Sequence, residues 1–309
     1  MKTESEWLEV RRQTIGSSES PIVLGLSPHA KPVELWARKL ELIPAWEETP
    51  EMRRGKRLEP YVAAEYEEAT GRKLVDLGRT HSVVSEEDPL LSATVDRVIV
   101  SSRGGDVVEQ GLPGDRWSGD GICELKTVKG WLAHEWAEEP PVHYQLQLQH
   151  QLFVMGKRWG SLAALIGGDD LVYYDFERDD QVIAMLREEA HVFWRYVERR
   201  EQPPVDGSAS TSKALAALFP RAERREVALP ADADQWAEEL AACNREVKAA
   251  LLERDLYRNQ LRAALGAADA GITPGGIRFT NRLQQRKAML VAESEFRVLR
   301  RVGGDPEES

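Results

Sequence analysis

Over the first seventy residues apolar positions recur at three- and four-residue steps, the spacing that gathers them on one face of a helix. Helices are predicted over 4–13, in short form after the polar turn Gly16-Ser17-Ser18 with Ser18 as its cap, over 32–40, and over 50–70 with Gly71 as the closing residue. In the third of these Val33, Trp36, Ala37 and Leu40 form the inward face. The pattern then changes. Segments 73–84, 91–100 and 121–128 are short, rich in Val, Ile, Leu and Thr, and bounded by turn residues, which predicts strands of a partly buried sheet. A Gly-rich polar insert, 101–121, separates the last two. Helix returns over 141–155, strands over 159–166 and 171–176, and a long helix over 180–199.

Gln202-Pro203-Pro204 breaks the helical pattern, and the reading divides the chain into a first domain at 1–204, a linker at 205–231 and an extension at 232–309. In the extension Trp236, Leu240, Cys243, Val247 and Leu251 follow helical spacing, but too few clean heptads follow for a coiled coil, so one helix or a hairpin packed on the body is expected. A small β element is read over 275–302, with seven basic residues against two acidic between Arg278 and Arg301. Both a solvated face and a phosphate-tracking edge fit that excess.

Composition narrows the function classes. With 41 Lys and Arg against 52 Asp and Glu in 309 residues, the formal charge is −11, so phosphate contacts must be local rather than spread over a basic surface. At 42% hydrophobic and 30% charged residues, the chain has the makeup of a globular protein with a sizeable core. No apolar run reaches the ~18 residues of a membrane span, and the acidic start Met1-Lys2-Thr3-Glu4-Ser5-Glu6 has no apolar stretch of a secretory signal. The cytoplasm is the expected compartment. Cys123 and Cys243 cannot form a disulfide framework or a four-cysteine metal site within one chain. There is no phosphate-binding Walker loop and no Gly-x-Ser-x-Gly elbow.

The chemistry concentrates in Ile122-Cys123-Glu124-Leu125-Lys126-Thr127. On a strand, alternate side chains share a face, so Glu124 and Lys126 project together. Upstream, Ser92-Ala93-Thr94-Val95-Asp96-Arg97-Val98-Ile99-Val100 sets an acid inside an apolar strand, where an unpaired carboxylate is costly to bury. A magnesium ion held by two carboxylates and a backbone carbonyl would remove that cost; a plain salt bridge from Asp96 to Arg97 or Lys126 would too. A third acid, Glu59, precedes Pro60, which predicts a helix start or kink there, beside Arg53, Arg54, Lys56 and Arg57. Farther on, helical spacing places Tyr144, Gln147 and Gln151 on one side and Leu148, Leu152 and Met155 on a core stripe. The six histidines have no metal-binding spacing.

Taken in order, Trp7-Leu8-Glu9-Val10-Arg11, Ile15-Gly16-Ser17-Ser18, Arg54-Gly55 with Glu59, Asp96, Glu124-Leu125-Lys126, and Tyr144 with Gln147 resemble the lambda-type, YqaJ-like viral exonuclease family of the PD-(D/E)XK nucleases, over about residues 7 to 200. The resemblance implies an α/β fold, with a restriction-endonuclease-like core of mixed sheet flanked by helices, to which the helical extension and small β element are added. It implies magnesium- or manganese-dependent hydrolysis of double-stranded DNA from 5′ ends, with two ions, in phage-type recombination with a single-strand annealing protein, and it leaves room for a homo-oligomer. By the same matching, Asp96, Glu124 and the Leu125 carbonyl are metal ligands and Glu59 helps to hold the second ion. Lys126 orients or deprotonates the attacking water, and Gln147, with Tyr144, positions water and phosphate. Arg11 and Ser18 resemble the pair that receives a terminal 5′-phosphate, with Arg12 and Ser17 as neighbouring competitors, and Arg54 is a further substrate contact. Val95 stands where the superfamily name has proline. A related endonuclease and a catalytically idle DNA-binding or assembly protein are the alternatives.

Overall fold

The computed structural model describes residues 4–78, 80–100, 102–103, 106–107, 120–223, 225–283 and 285. Most of the insert at 101–121 and the basic stretch after 285 lie outside them. The chain forms two units, Met1–Phe219 and Pro220–Ser309.

The first unit is a mixed α/β fold. It opens with α1 (Glu4–Gln13), β1 (Ile15–Gly16), a 3-10 turn over Ser17–Glu19, α2 (Ser20–Val23), α3 (Pro32–Lys39) and α4 (Pro50–Thr70). Strands β2 (Lys73–Val75), β3 (Val83–Val84), β4 (Leu91–Ala93), β5 (Arg97–Val100), β6 (Ser102–Arg103), β7 (Asp106–Val107) and β8 (Gly121–Val128) follow. After a 3-10 segment over Gly130–Trp136 come α5 (Val142–Val154), β9 (Trp159–Ile166), β10 (Asp170–Glu177), α6 (Asp180–Arg199) and α7 (Ala209–Leu218). The main sheet has the order β10-β9-β8-β5-β2, parallel only between β8 and β9. A three-stranded sheet, β1-β4-β3, lies apart from it in the hydrogen-bond network.

Helices cover both faces of the main sheet. Cys123 and Leu125 pack with Val62, Ala63 and Tyr66 of α4, whereas Ile122 packs with Leu148 and Leu152 of α5. This is the alternation expected of β8. Helix α4 has the predicted limits: the Thr49 hydroxyl accepts from the Met52 N–H at 3.2 Å, and Gly71 closes it at φ 70°, a left-handed conformation that costs glycine little.

Three local readings are corrected. The segments 73–84 and 91–100 are each divided between the two sheets, so Asp96 is not embedded in a strand; it occupies the bend where the chain leaves β4 and enters β5. Apolar alternation runs through the bend and conceals it. Pro60 marks neither a start nor a described break: Glu59 sits inside the continuous helix α4, whose packing through Val62 and Tyr66 outweighs the N–H that proline lacks. Ser18 does not cap α2. It is exposed within the 3-10 turn, and the buried Glu19 carboxylate instead accepts from the Gly16 N–H at 2.8 Å and Lys39 Nζ at 2.7 Å.

The segment read as a linker at 205–231 contains α7. Ser208 caps it, Thr211 and Ala214 are buried, and Ala214 joins the core formed by α3 and α6. Introducing a charge with Ala214→Asp should therefore destabilise the protein by about 3 kcal/mol or more, whereas Ala250→Asp on an exposed helix should cost under about 1 kcal/mol. Thermal melts of the two variants test this; equal, small shifts would remove α7 from the first unit.

The second unit contains one continuous helix, α8 (Ala233–Leu265), and an antiparallel hairpin of β11 (Ala270–Ile272) and β12 (Arg278–Thr280). The hairpin begins before the 275–302 segment. No residue of α8 is buried, and Trp236, Leu240, Val247 and Leu251 are all exposed. No helix among the described residues is long and apolar enough to cross a membrane.

Candidate active site

Neighbouring strands bring the two central acids together. β5 and β8 are antiparallel with Arg97 opposite Cys123 and Val98 opposite Ile122. Asp96, at the bend just before β5, and Glu124 on β8 both line one cavity, and the charge of Glu124 acts on the Asp96 carboxyl. The Leu125 N–H donates to Asp96 Oδ2 at 2.9 Å, which fixes the carboxylate at the bend.

Glu124 is buried and held on both oxygens. Its Oε1 accepts from Lys126 Nζ at 2.5 Å and Gln147 Nε2 at 2.6 Å, and its Oε2 from Gln151 Nε2 at 2.7 Å. Lys126 also points toward Gln147 Oε1 at 3.5 Å and lies 4.9 Å from the centre of the Tyr144 ring. Tyr144 in turn rests against the buried Trp136 with ring centres 5.5 Å apart. The sequence set Gln151 on the right helix face without giving it a role. It is fully buried, and its amide links Glu124 to the Thr94 carbonyl at 3.2 Å.

Glu59 lines the same cavity, which has a volume of about 470 Å³. Its Oε1 accepts from Arg97 Nη1 at 2.6 Å, and the same nitrogen reaches the Asp96 carbonyl at 2.5 Å. Arg97 therefore ties α4 to the bend through the backbone of Asp96. Arg11, Ser17, Ser18 and Lys56 complete one wall. Arg12 points elsewhere, to Glu9 and Glu41, which separates it from its neighbour Arg11. Arg11 reaches Glu19 at 3.4 Å and stacks on Trp7 at 4.9 Å. Arg54 is exposed and is not among the cavity-lining residues.

The electrostatics are those of crowded acids. Burial, and next the charge of Glu124, push the Asp96 carboxyl up to about 8, against the opposing pull of Lys126 and the Leu125 N–H. Burial would lower the Lys126 ammonium, but the charges of Glu124 and Asp96 outweigh it and hold the pKa above the usual lysine range. From this position Lys126 donates a hydrogen bond to Glu124.

A hard divalent cation suits these donors. Two carboxylates crowded in a poorly solvated space favour a positive ion, and the buried Gln151 Oε1 has no hydrogen-bond partner among the described residues. No three His, Cys, Asp or Glu side chains among the described residues converge as a ready-made chelate. The fit thus rests on Asp96, Glu124 and main-chain oxygen, as the sequence pattern proposes.

Residues 6–158 match the model of the YqaJ-like viral recombinase domain. Protein YqaJ of Bacillus subtilis (strain 168) is 32% identical over 250 residues, 79% of this chain and 69% of that protein. The chain belongs to the YqaJ-like family. All the acids described above fall within the matched YqaJ-like segment, which ends short of β9. Among solved structures, the alkaline exonuclease LHK-Exo from Laribacter hongkongensis is similar at 22% identity, covering 64% of this chain and 94% of that one with a TM-score of 0.49. A phage-related exonuclease from Haemophilus somnus 129PT is similar at 13% identity, 60% and 94% coverage, and a TM-score of 0.42.

Proposed function

We propose that this YqaJ-like protein is a divalent-metal-dependent deoxyribonuclease that hydrolyses double-stranded DNA from its ends. The observation that carries this reading is that Asp96 and Glu124 line one cavity, with Lys126 bonded to Glu124 and with Arg11, Ser17 and Ser18 also among the lining residues. The family resemblance supports the same reading.

In this scheme Asp96, Glu124 and the Leu125 carbonyl hold magnesium or manganese, and Glu59 serves a second ion at the expense of its pair with Arg97. The bound ions would activate water and stabilise the phosphate charge of the transition state. Gln147 and Gln151 keep Glu124 from rotating away from its ligand geometry. Lys126 orients the water or phosphate as a charged donor, with Tyr144 supporting its position. Arg11 and Ser18, with Ser17, receive the terminal phosphate, which gives the 5′ direction. A role in recombination beside a single-strand annealing protein follows from the resemblance.

The test is incubation of the purified protein with magnesium and either linear or closed-circular duplex DNA. Loss of the linear form alone, blocked by a chelator, is expected. Cutting of circles would make it an endonuclease, and no cutting of either would leave a DNA-binding protein. Comparing 5′-phosphate with 5′-hydroxyl ends tests the role of Arg11 and Ser18.

A further inference from the structure

The indole of Trp131 is 72% exposed, although it belongs to a segment whose backbone is well anchored. Gly167 donates to the Val128 carbonyl at 2.8 Å, Leu132 donates to the Lys129 carbonyl at 2.8 Å, and Trp136 at the far end is buried. The anchorage leads directly to the candidate active site, because Trp136 packs on Tyr144 and Tyr144 receives Lys126. Trp131 is thus a large apolar ring held out to solvent at a fixed place. It stands five positions beyond Lys126, a span of at most about 17 Å, or roughly five stacked nucleotides.

Its surroundings suit an anionic polymer with flat bases. Lys129 Nζ lies 5.1 Å from the Trp131 ring centre, with Glu51 Oε1 4.0 Å away on its other side. That contact brings in the amino-terminal half of α4, and Gly55 lies against Thr127, where a Cβ on the glycine would stand 3.5 Å from the threonine hydroxyl. This half-helix exposes Arg53, Arg54 and Arg57, and its Lys56 lines the cavity. Exposed cations thus lie on the half-helix that Lys129 approaches, interleaved with Glu48, which pairs with Lys56 at 2.6 Å, and Glu51.

We propose that Trp131, with Lys129 beside it, is a stacking platform for a single-stranded DNA segment that continues from the cavity. An aromatic face accepts any base, and the neighbouring cations follow the phosphates without reading sequence. The inference rests on the nuclease reading and deepens it by naming the form of DNA held next to the site.

The experiment measures fluorescence anisotropy in a chelator with two labelled probes, a blunt duplex and the same duplex carrying a single-stranded extension. The extension is placed on the 3′ strand in one set and the 5′ strand in another. Trp131→Ala should weaken binding of an extended probe about 5-fold or more, leave the blunt probe within about 2-fold, and be largely rescued by Trp131→Phe. Unchanged affinity for both extended probes, or an equal loss on the blunt one, would overturn the platform. If the wild-type protein cleaves linear DNA with magnesium while Trp131→Ala binds extensions normally, this inference alone fails. If the wild type neither binds nor cleaves DNA, the nuclease reading fails first.

Discussion

Asp96→Asn is expected to lower DNA hydrolysis about 1000-fold or more while making the metal-free protein more stable. The two effects have one origin. Asp96 is desolvated and feels the charge of Glu124, so its own charge is costly until a cation offsets it. Asparagine retains an oxygen for the Leu125 N–H but removes the charge that holds the ion. A loss of ~4 kcal/mol in transition-state stabilisation corresponds to the stated rate. The pH dependence has a definite sign. A carboxyl raised to about 8 in the folded chain keeps a proton that the unfolded chain releases near 3.9, so its contribution to stability is greatest below that lower value and declines as pH rises toward 8. Magnesium should reduce the decline by replacing the proton, and Asp96→Asn should remove it, with a gain in stability that is larger at pH 8 than at pH 5. Melting curves at pH 5 and pH 8, with and without magnesium, measure this. Equal magnesium stabilisation of wild type and variant would argue against a metal role for Asp96.

The second large effect belongs to Lys126. Lys126→Met should slow hydrolysis by about 100- to 1000-fold, with DNA affinity changed by less than about 3-fold, because the ammonium is placed beside Glu124 rather than on the Arg11 wall. The same substitution leaves a buried Glu124 with only its amide donors and should cost about 3 kcal/mol of stability. Combining Lys126→Met with Glu124→Gln removes both charges. The double variant should recover most of that stability and none of the activity. Activity restored along with stability would show that Lys126 acts only through folding, and unchanged turnover in the single variant would exclude a chemical role.

The elements of the site were largely legible because they follow short-range rules. Strand alternation alone places Glu124 and Lys126 on one face, and the structure joins them at 2.5 Å. Helical spacing places Tyr144, Gln147 and Gln151 together, and all three reach the Glu124–Lys126 group. Spacing set Gln151 apart from Gln149 but could name a partner for neither: Gln151 binds Glu124, and Gln149 binds the Glu177 carbonyl. Nor could it show that Arg97 serves Glu59: the two are 38 positions apart and meet only when α4 packs on the sheet.

What the sequence by itself determined was each residue's local neighbours: the limits of α4 and the inward faces of β8 and α5. Only the tertiary structure decided that the chain bends at Asp96, that Glu59 lies within a helix and pairs with Arg97, and that α7 completes the first core. Periodicity is a property of a few consecutive residues, whereas a change of sheet, a long-range ion pair and a docked helix depend on surfaces that meet after the chain has closed on itself.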